Sequence, residues 1–289
     1  MSKDISLDEI KKFWPEKAPD INIVLKYVKK YEKEKIVIKY GGNVLIDRNV
    51  FNNFISDINV LNKLGLSIIV VHGGGPRIKR ELDKKKIVSK FINGLRITDK
   101  NIINTVEEVL IDFNNDIVNS LKKLGSEAAS FHTKTDNIIK VKPERKELGF
   151  VGIPNEINDS LIQNALNKNK IPIIAPLGLG DHDQTYNING DTAASAIAKK
   201  LKSRRLILMT NVEGVYDDQK KLISEIKPFD LENLIKWKVV QGGMIPKIEN
   251  CVDSVQNGVR GVVILDGRKP HSVLHEIFSD KGSGTLIRE

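Results

Sequence analysis

Five continuous runs of Ile, Val and Leu constrain this chain more than any other feature: KIVIK (35–39), SIIVVH (67–72), IPIIAPL (171–177), RLILMT (205–210) and GVVIL (261–265). A strand with one face in water alternates apolar and polar residues. Runs without that alternation belong to strands buried on both faces, as in a mainly parallel sheet covered by helices. Helical patterns lie between or after them, near 48–64 (Val50, Phe54, Ile58 and Leu61 on one face), 76–85, 157–168, 190–202 and 246–258. The fold class is therefore α/β. Residues 127–152 depart from this pattern, and their short polar–apolar alternation with Gly149 and Gly152 predicts hairpins beside the main sheet. Turn formers in GLGDHDQTYNING (178–190) mark a hinge. Three units are expected: an N-terminal helical extension over 1–34, a first lobe over 35–180 and a second over 181–289.

Charge and composition narrow the function classes. The 289 residues carry 46 Lys and Arg against 37 Asp and Glu, a formal charge of +9, which raises the question of a polyanionic partner. The basic residues are scattered among acids, and no aromatic residues interleave with a basic run to form a stacking platform, so no nucleic-acid partner is expected. No apolar run approaches the roughly 20 residues that cross a bilayer, so no membrane partner is expected either. The opening MSKDISLDEIKKFWPEK carries acids and no apolar segment, unlike a secretory leader or a transit peptide. The single cysteine, Cys251, cannot form an internal disulfide, which makes the cytoplasm the expected compartment.

Several common sites are excluded by pattern. Neither G-x-x-x-x-G-K-[ST] nor G-x-G-x-x-G occurs. The HGGG at 72–75 is like the oxyanion loop of lipases, yet no G-x-S-x-G supplies a nucleophile. His275-Glu276 lacks the second His of a zinc helix, since Ser279 stands at that position. Three glycine clusters remain: KYGGN (39–43) and VHGGGP (71–76) after strands, and QGGMIPK (241–247) before a helix. Glycines there let backbone N–H groups approach an anion, and ligands of open α/β sheets lie outside the carboxyl ends of the strands. Lys39 ends an apolar strand, a costly place for a charge unless something anionic meets it, and Lys247 opens a helix behind two glycines. Two lysines on opposite sides of a transferring phosphoryl group would neutralise its charge. Asp191, in NINGD, either holds both ammonium groups or simply caps a helix.

KYGGN, VHGGGP, NGLRITD (93–99), YNINGD (186–191), LMTNVEGVYDD (208–218), GGMIPK (242–247) and ILDGRKPHSVLHEIF (264–278) together resemble the amino acid kinase family in order and spacing. Within it, the chain is most similar to the branch that phosphorylates the side-chain carboxylate of N-acetyl-L-glutamate with ATP in arginine biosynthesis. The resemblance implies a three-layer αβα sandwich, with the acyl-amino acid and oligomer contacts in the first lobe and ATP in the second. Lys39 and Lys247 would flank the transferring phosphoryl group and Asp191 would organise them. Gly41, Gly42, Gly74 and Gly75 would offer N–H groups, while Arg96 and Asn187 would hold the acyl-amino acid. Thr210, Asn211, Val212, Gly214 and Tyr216 would lie along the nucleotide, whose Mg²⁺ is carried mainly by its phosphates. The carboxylate nucleophile is already ionised, so no general base is needed.

In this family, members with a helix ahead of the first strand tend to be ring-like hexamers inhibited by arginine. Here 20–34 supplies such a helix, Tyr27, Glu276 and Gly282 match effector positions, and Val263 stands where a histidine is expected. The implied partners are copies of the same chain, as a dimer or a hexamer, and a PII-type regulator. Ile153, where an acid often stands, and Gly190, where Ala is common, are smaller departures. The alternative is a kinase of carrier-linked aminoadipate or glutamate, whose members usually begin near the first strand.

Overall fold

Strand β1 (Lys35–Tyr40) runs through the middle of the molecule, and its two faces define the layers. Side chains alternate along a strand, so Ile36, Ile38 and Tyr40 enter one buried cluster and Val37 enters another on the opposite face. Lys39 therefore stands on the Val37 face. The computed structural model describes residues 6–42, 47–242 and 244–289.

In chain order the elements before β1 are helices α1 (Leu7–Lys11) and α2 (Val24–Lys30). After it come α3 (Arg48–Lys63), β2 (Ser67–His72), α4 (Gly75–Lys84), the hairpin β3 (Phe91–Ile92) and β4 (Leu95–Arg96), and α5 (Ile103–Lys123). Next are β5 (Ala128–Phe131), β6 (Ile139–Pro143), β7 (Gly152–Ile157), α6 (Asp159–Asn167), β8 (Ile171–Ile174), β9 (Leu177–Leu179) and β10 (Thr185–Asn187). The chain finishes with α7 (Gly190–Lys200), β11 (Arg205–Thr210), β12 (Glu225–Ile226), α8 (Leu231–Lys236), α9 (Met244–Gln256), β13 (Val262–Asp266), α10 (Ser272–Ile277) and β14 (Gly284–Ile287).

Eight strands form one sheet in the order β12-β14-β13-β11-β1-β2-β8-β5, and the register from β13 to β5 is parallel throughout. Only the edge reverses, where β14 runs antiparallel to β13 and carries β12 with it. Four of the five apolar runs enter this sheet as buried strands and the fifth, IPIIAPL, does so through Ile171–Ile174, so the α/β expectation holds. Helices α3, α5 and α10 cover one face through Phe54, Ile58, Phe113, Ile117 and Leu274. Helices α6, α7 and α9 cover the other through Ile162, Ala193, Ala194, Ala198, Ile248 and Cys251. The thiol of Cys251 is fully buried, which pushes it up to about 12. Chain order makes β1 and β11 a switch point, because after β1 the chain moves to β2 on one side and after β11 to β12 and then β13 on the other. Their carboxyl ends thus diverge into a crevice, the place where such sheets bind ligands.

Two local readings need correction. IPIIAPL is not one strand: Ile171–Ile174 pairs in the main sheet, and Leu177–Leu179 pairs in a second sheet of order β10-β9-β6-β7. Pro176 has no N–H to continue the ladder and constrains Ala175 before it, so the run breaks there. Within 127–152, β6 and β7 do form an antiparallel pair, but β5 joins the main sheet parallel to β8. The N-terminal segment is a short 3₁₀ turn over Ile21–Ile23 leading into α2. Its Val24, Tyr27 and Tyr31 are buried in this chain's own core, with the Tyr27 ring edge-on to Phe278 at 6.4 Å.

Candidate active site

Lys39 is the last but one residue of β1, which runs on to Tyr40 rather than ending at the lysine, and it lies between Val71 of β2 and Leu208 of β11 with only 8 % of its surface exposed. A buried ammonium needs an anion, and Asp191 supplies it from the first turn of α7, with Lys39 Nζ 2.9 Å from Asp191 Oδ1. Lys247, in the first turn of α9, donates to Asp191 Oδ2 from the other side. Burial alone would raise this carboxyl, but the two ammonium groups outweigh it and hold Asp191 well below the usual carboxylate range. The capping alternative for Asp191 is excluded by its neighbour: Asn189 is the N-cap of α7, its Oδ1 accepting from the N–H groups of Asp191 at 2.9 Å and Thr192 at 3.2 Å. That cap leaves the Asp191 side chain free to bridge the lysines.

The glycines let this arrangement close. Lys39 folds back across Gly41, where an added Cβ would stand 2.5 Å from its Nζ, and Gly42 takes a positive φ of 81° that favours glycine. Gly73 packs on Gly41, its N–H donating to Tyr40 O at 2.6 Å, so the ends of β1 and β2 are tied together. Gly74 is the N-cap of α4 and Gly75 its first residue, which puts backbone N–H groups at the mouth of a helix. Asn43 of KYGGN and Gly243 of QGGMIPK lie outside the described residues.

A cleft of about 200 Å³ starts at this cluster. Lys39, Gly42, Gly74, Gly75, Asn187, Asp191 and Arg96 of β4 supply its polar lining, and Ile78, Leu95, Leu110, Val151 and Ile188 its apolar lining. Arg96 is buried, donates to Ser89 Oγ and to Gly75 O at 3.2 Å, and lies 4.8 Å from the centroid of the Phe91 ring. Asn187 of β10 donates to Thr98 Oγ1 at 3.2 Å, and Thr98 in turn donates to Arg96 O at 3.1 Å. One chain of contacts thus ties both polar groups of the cleft. Gly41 and Lys247 are not on the cleft wall, though both touch it through Lys39 and Asp191.

A model of the amino acid kinase family matches residues 34–266. The chain belongs to the amino acid kinase family. Among curated relatives, the acetylglutamate kinase of Pelagibacter ubique (strain HTCC1062) is 52 % identical over 98 % of both chains. That of Clostridioides difficile (strain 630) is 44 % identical over 95 % of this chain and 98 % of its own. Solved structures share the fold: N-acetylglutamate synthase from Neisseria gonorrhoeae matches with a TM-score of 0.83 at 20 % identity, over 93 % of this chain and 62 % of its own. Carbamate kinase from Giardia lamblia matches at 0.65 and 16 %, over 88 % and 98 %.

Other expected site residues of this amino acid kinase fall in two further places. Thr210 ends β11 beside β1, and its Oγ1 accepts from Val212 N at 3.0 Å, turning the chain through Asn211. Gly214 has a φ of 155° and abuts Thr285 of β14, while Tyr216 is 37 % exposed and its phenol is pushed up by burial and by Glu213. These five residues line the β11 side of the switch point rather than the cleft. Tyr27, Glu276 and Gly282 lie in the corner between α2, α10 and the turn before β14. There burial raises the Glu276 carboxyl, and its Oε2 accepts from Ser283 N at 2.8 Å. A hydrogen bond to Asp280 raises the Tyr27 phenol. Val263 is fully buried in β13. Sequence patterns did not single out Leu110, Ser89 or Asn189; the S/T/D/N-x-x rule for helix starts points to Asn189.

Proposed function

We propose that this kinase transfers the γ-phosphoryl group of ATP to the side-chain carboxylate of N-acetyl-L-glutamate, forming an acyl phosphate and ADP in arginine biosynthesis. The observation that carries the reading is the Lys39–Asp191–Lys247 bridge beside a cleft that Lys39, Asp191 and Arg96 all line. A dicarboxylate with a neutral acylamino group fits such a cleft. Arg96 meets the α-carboxylate as a bidentate partner, Asn187 and the apolar wall take the acylamino part, and the side-chain carboxylate faces the glycines. As the bond from the γ-phosphorus to the bridging oxygen breaks and the new P–O bond forms, charge spreads over the phosphoryl oxygens. Lys39 and Lys247 compensate it, and the N–H groups of Gly74 and Gly75 add dipoles. Asp191 stays ionised and keeps two like charges close without touching the substrate.

ATP lies along Thr210, Asn211, Val212, Gly214 and Tyr216, on the β11 side of the switch point. Its Mg²⁺ travels with the phosphates; among the described residues no group of three or more His, Cys, Asp and Glu side chains is placed to hold a metal. The division into a 1–34 extension, a 35–180 acceptor lobe and a 181–289 nucleotide lobe follows from this reading, as does work in the cytoplasm. No helix of the described residues is long and apolar enough to cross a membrane. The corner at Tyr27, Glu276 and Gly282 is the place for an arginine effector, with assembly into dimers or hexamers and a PII-type regulator as further partners. Arginine titrated at subsaturating acetylglutamate lowers the rate if that corner is competent, and a flat response removes it.

The deciding experiment traps the acyl phosphate as a hydroxamate with ATP and, in turn, N-acetylglutamate, glutamate, aspartate and a carrier-linked acceptor. Signal with N-acetylglutamate well above the others is expected. A carrier-linked acceptor turning over faster would overturn the assignment.

A further inference from the structure

His72, the last residue of β2, has no exposed surface, and its ring lies edge-on to Phe113 with centroids 5.0 Å apart. An imidazole in such a place is costly unless both nitrogens are satisfied. Nδ1 lies 2.8 Å from Gly73 O, a carbonyl that can only accept, so Nδ1 carries the hydrogen. Nε2 lies 3.2 Å from Asn114 Nδ2 and accepts. The Asn114 amide is itself oriented from two sides, since its Nδ2 donates to Ile173 O at 3.0 Å and its Oδ1 accepts from Ser130 Oγ at 2.6 Å. Every member of the chain Ser130, Asn114, His72, Gly73 thus has one direction of donation. The ring is a neutral Nδ1–H tautomer, and burial pushes its pKa down to about 4.

The consequence lies on the next peptide. In a planar trans peptide the carbonyl and the following N–H point in opposite directions. Drawing Gly73 O toward the His72 ring therefore sends the Gly74 N–H the other way, toward the cleft that Gly73, Gly74 and Gly75 line. A peptide with glycine on both sides has little steric resistance to turning over, so its direction needs an external hold. Gly73 N–H is already committed to Tyr40 O at 2.6 Å, leaving the carbonyl as the free end of the lever. We propose that His72 is a positioning residue that locks the Gly73–Gly74 peptide with its N–H directed at the reacting oxygens, its tautomer being set by Asn114 and Ser130. This inference rests on the kinase reading above.

The test measures kcat and both KM values of the full-length protein with MgATP and N-acetylglutamate for His72→Phe, His72→Asn and Ser130→Ala. His72→Phe keeps an aromatic ring but has no Nδ1–H. Its kcat is expected to fall on the order of 10- to 100-fold with KM for the acceptor within about 3-fold, the mark of a donor that acts in the transition state. His72→Asn places an amide N–H near the lost donor and is expected to recover kcat to within about 5-fold of the wild type. Ser130→Ala, which touches neither glycine, is expected to lower kcat by roughly 3-fold with the protein still folded. Wild-type kcat in His72→Phe overturns the proposal, as does an equal loss in His72→Asn with matching thermal melts. If His72→Phe does not fold, an unchanged kcat in Ser130→Ala overturns it. Should the wild type fail with N-acetylglutamate, the kinase reading fails instead, and the ratio of the two His72 variants is taken with whichever acceptor the wild type uses.

Discussion

Asp191 and Asp57 are both carboxylates largely withdrawn from water, one in the active site and one 17 residues past the end of the first strand, and their surroundings drive them in opposite directions. Asp191 sits between two ammonium groups, and despite burial it is held far below the usual range. Asp57, on α3, has burial as its largest influence; the His271 ring, whose Nδ1 lies 2.5 Å from Asp57 Oδ1, opposes it only in part, and the carboxyl is raised to about 6. The count of cations, not the depth of burial, separates a carboxylate that organises charge from one that pins two helices together. Asp57 joins α3 to the start of α10, where His271 takes a left-handed φ of 52° to present its ring.

The sharpest way to break the comparison is to remove one cation from Asp191. Lys247→Ala is expected to lower kcat by about 10²- to 10³-fold, with KM values changing much less, because the lost charge acts on the transferring group. Steady-state kinetics at saturating ATP reads this, and turnover near wild type would end the role given to Lys247. Arg96→Ala separates binding from chemistry. Loss of the hydrogen-bonded contact to a charged carboxylate is worth roughly 1.5–3 kcal/mol, so KM for the acyl-amino acid is expected to rise about 10- to 100-fold with kcat nearly kept. An unchanged KM would remove Arg96 from the site.

The smallest effect sharpens the other half of the comparison. Folded Asp57 keeps its proton up to about pH 6, whereas an unfolded aspartate releases it near 4. Between those values the native state binds more protons, so the Asp57 contribution to stability falls as pH rises. Urea unfolding from pH 4 to 6.5 is expected to show this decline in the wild type and a shallower one in Asp57→Asn. Parallel profiles would mean that the pair does not titrate as described. Asp191 gives the opposite slope, its contribution being present above the ordinary aspartate pKa and fading as the solution is made more acid.

Much of this was legible in the chain itself. KIVIK ends in a lysine, and a strand buried on both faces leaves that lysine only an anion to meet, so Lys39 declares itself without coordinates. VHGGGP was readable as an anion loop for the same kind of reason. What pattern did not carry is illustrated by α5, which has no counterpart among the segments picked out from sequence. Its N-cap, Ile102, makes no side-chain cap and its first turn holds no acid in helix-starting position, so only the spacing of Val106, Leu110, Phe113 and Ile117 announces it. Asn114 on that helix, and with it the orientation of His72, could not be placed from sequence, because the partners Ser130 and Ile173 are 16 and 59 residues away. Asp57 and His271 are 214 residues apart and were equally invisible.

Cys251 lies one helical turn beyond Lys247 on α9, sealed against the layer below. A thiol so placed reacts with a reagent in water only when α9 lifts. The rate of its modification therefore clocks the opening of the helix that carries Lys247, in a chain with no second thiol to confuse the signal. Timed labelling with and without nucleotide would turn one silent packing residue into a gauge of how firmly each ligand shuts the site.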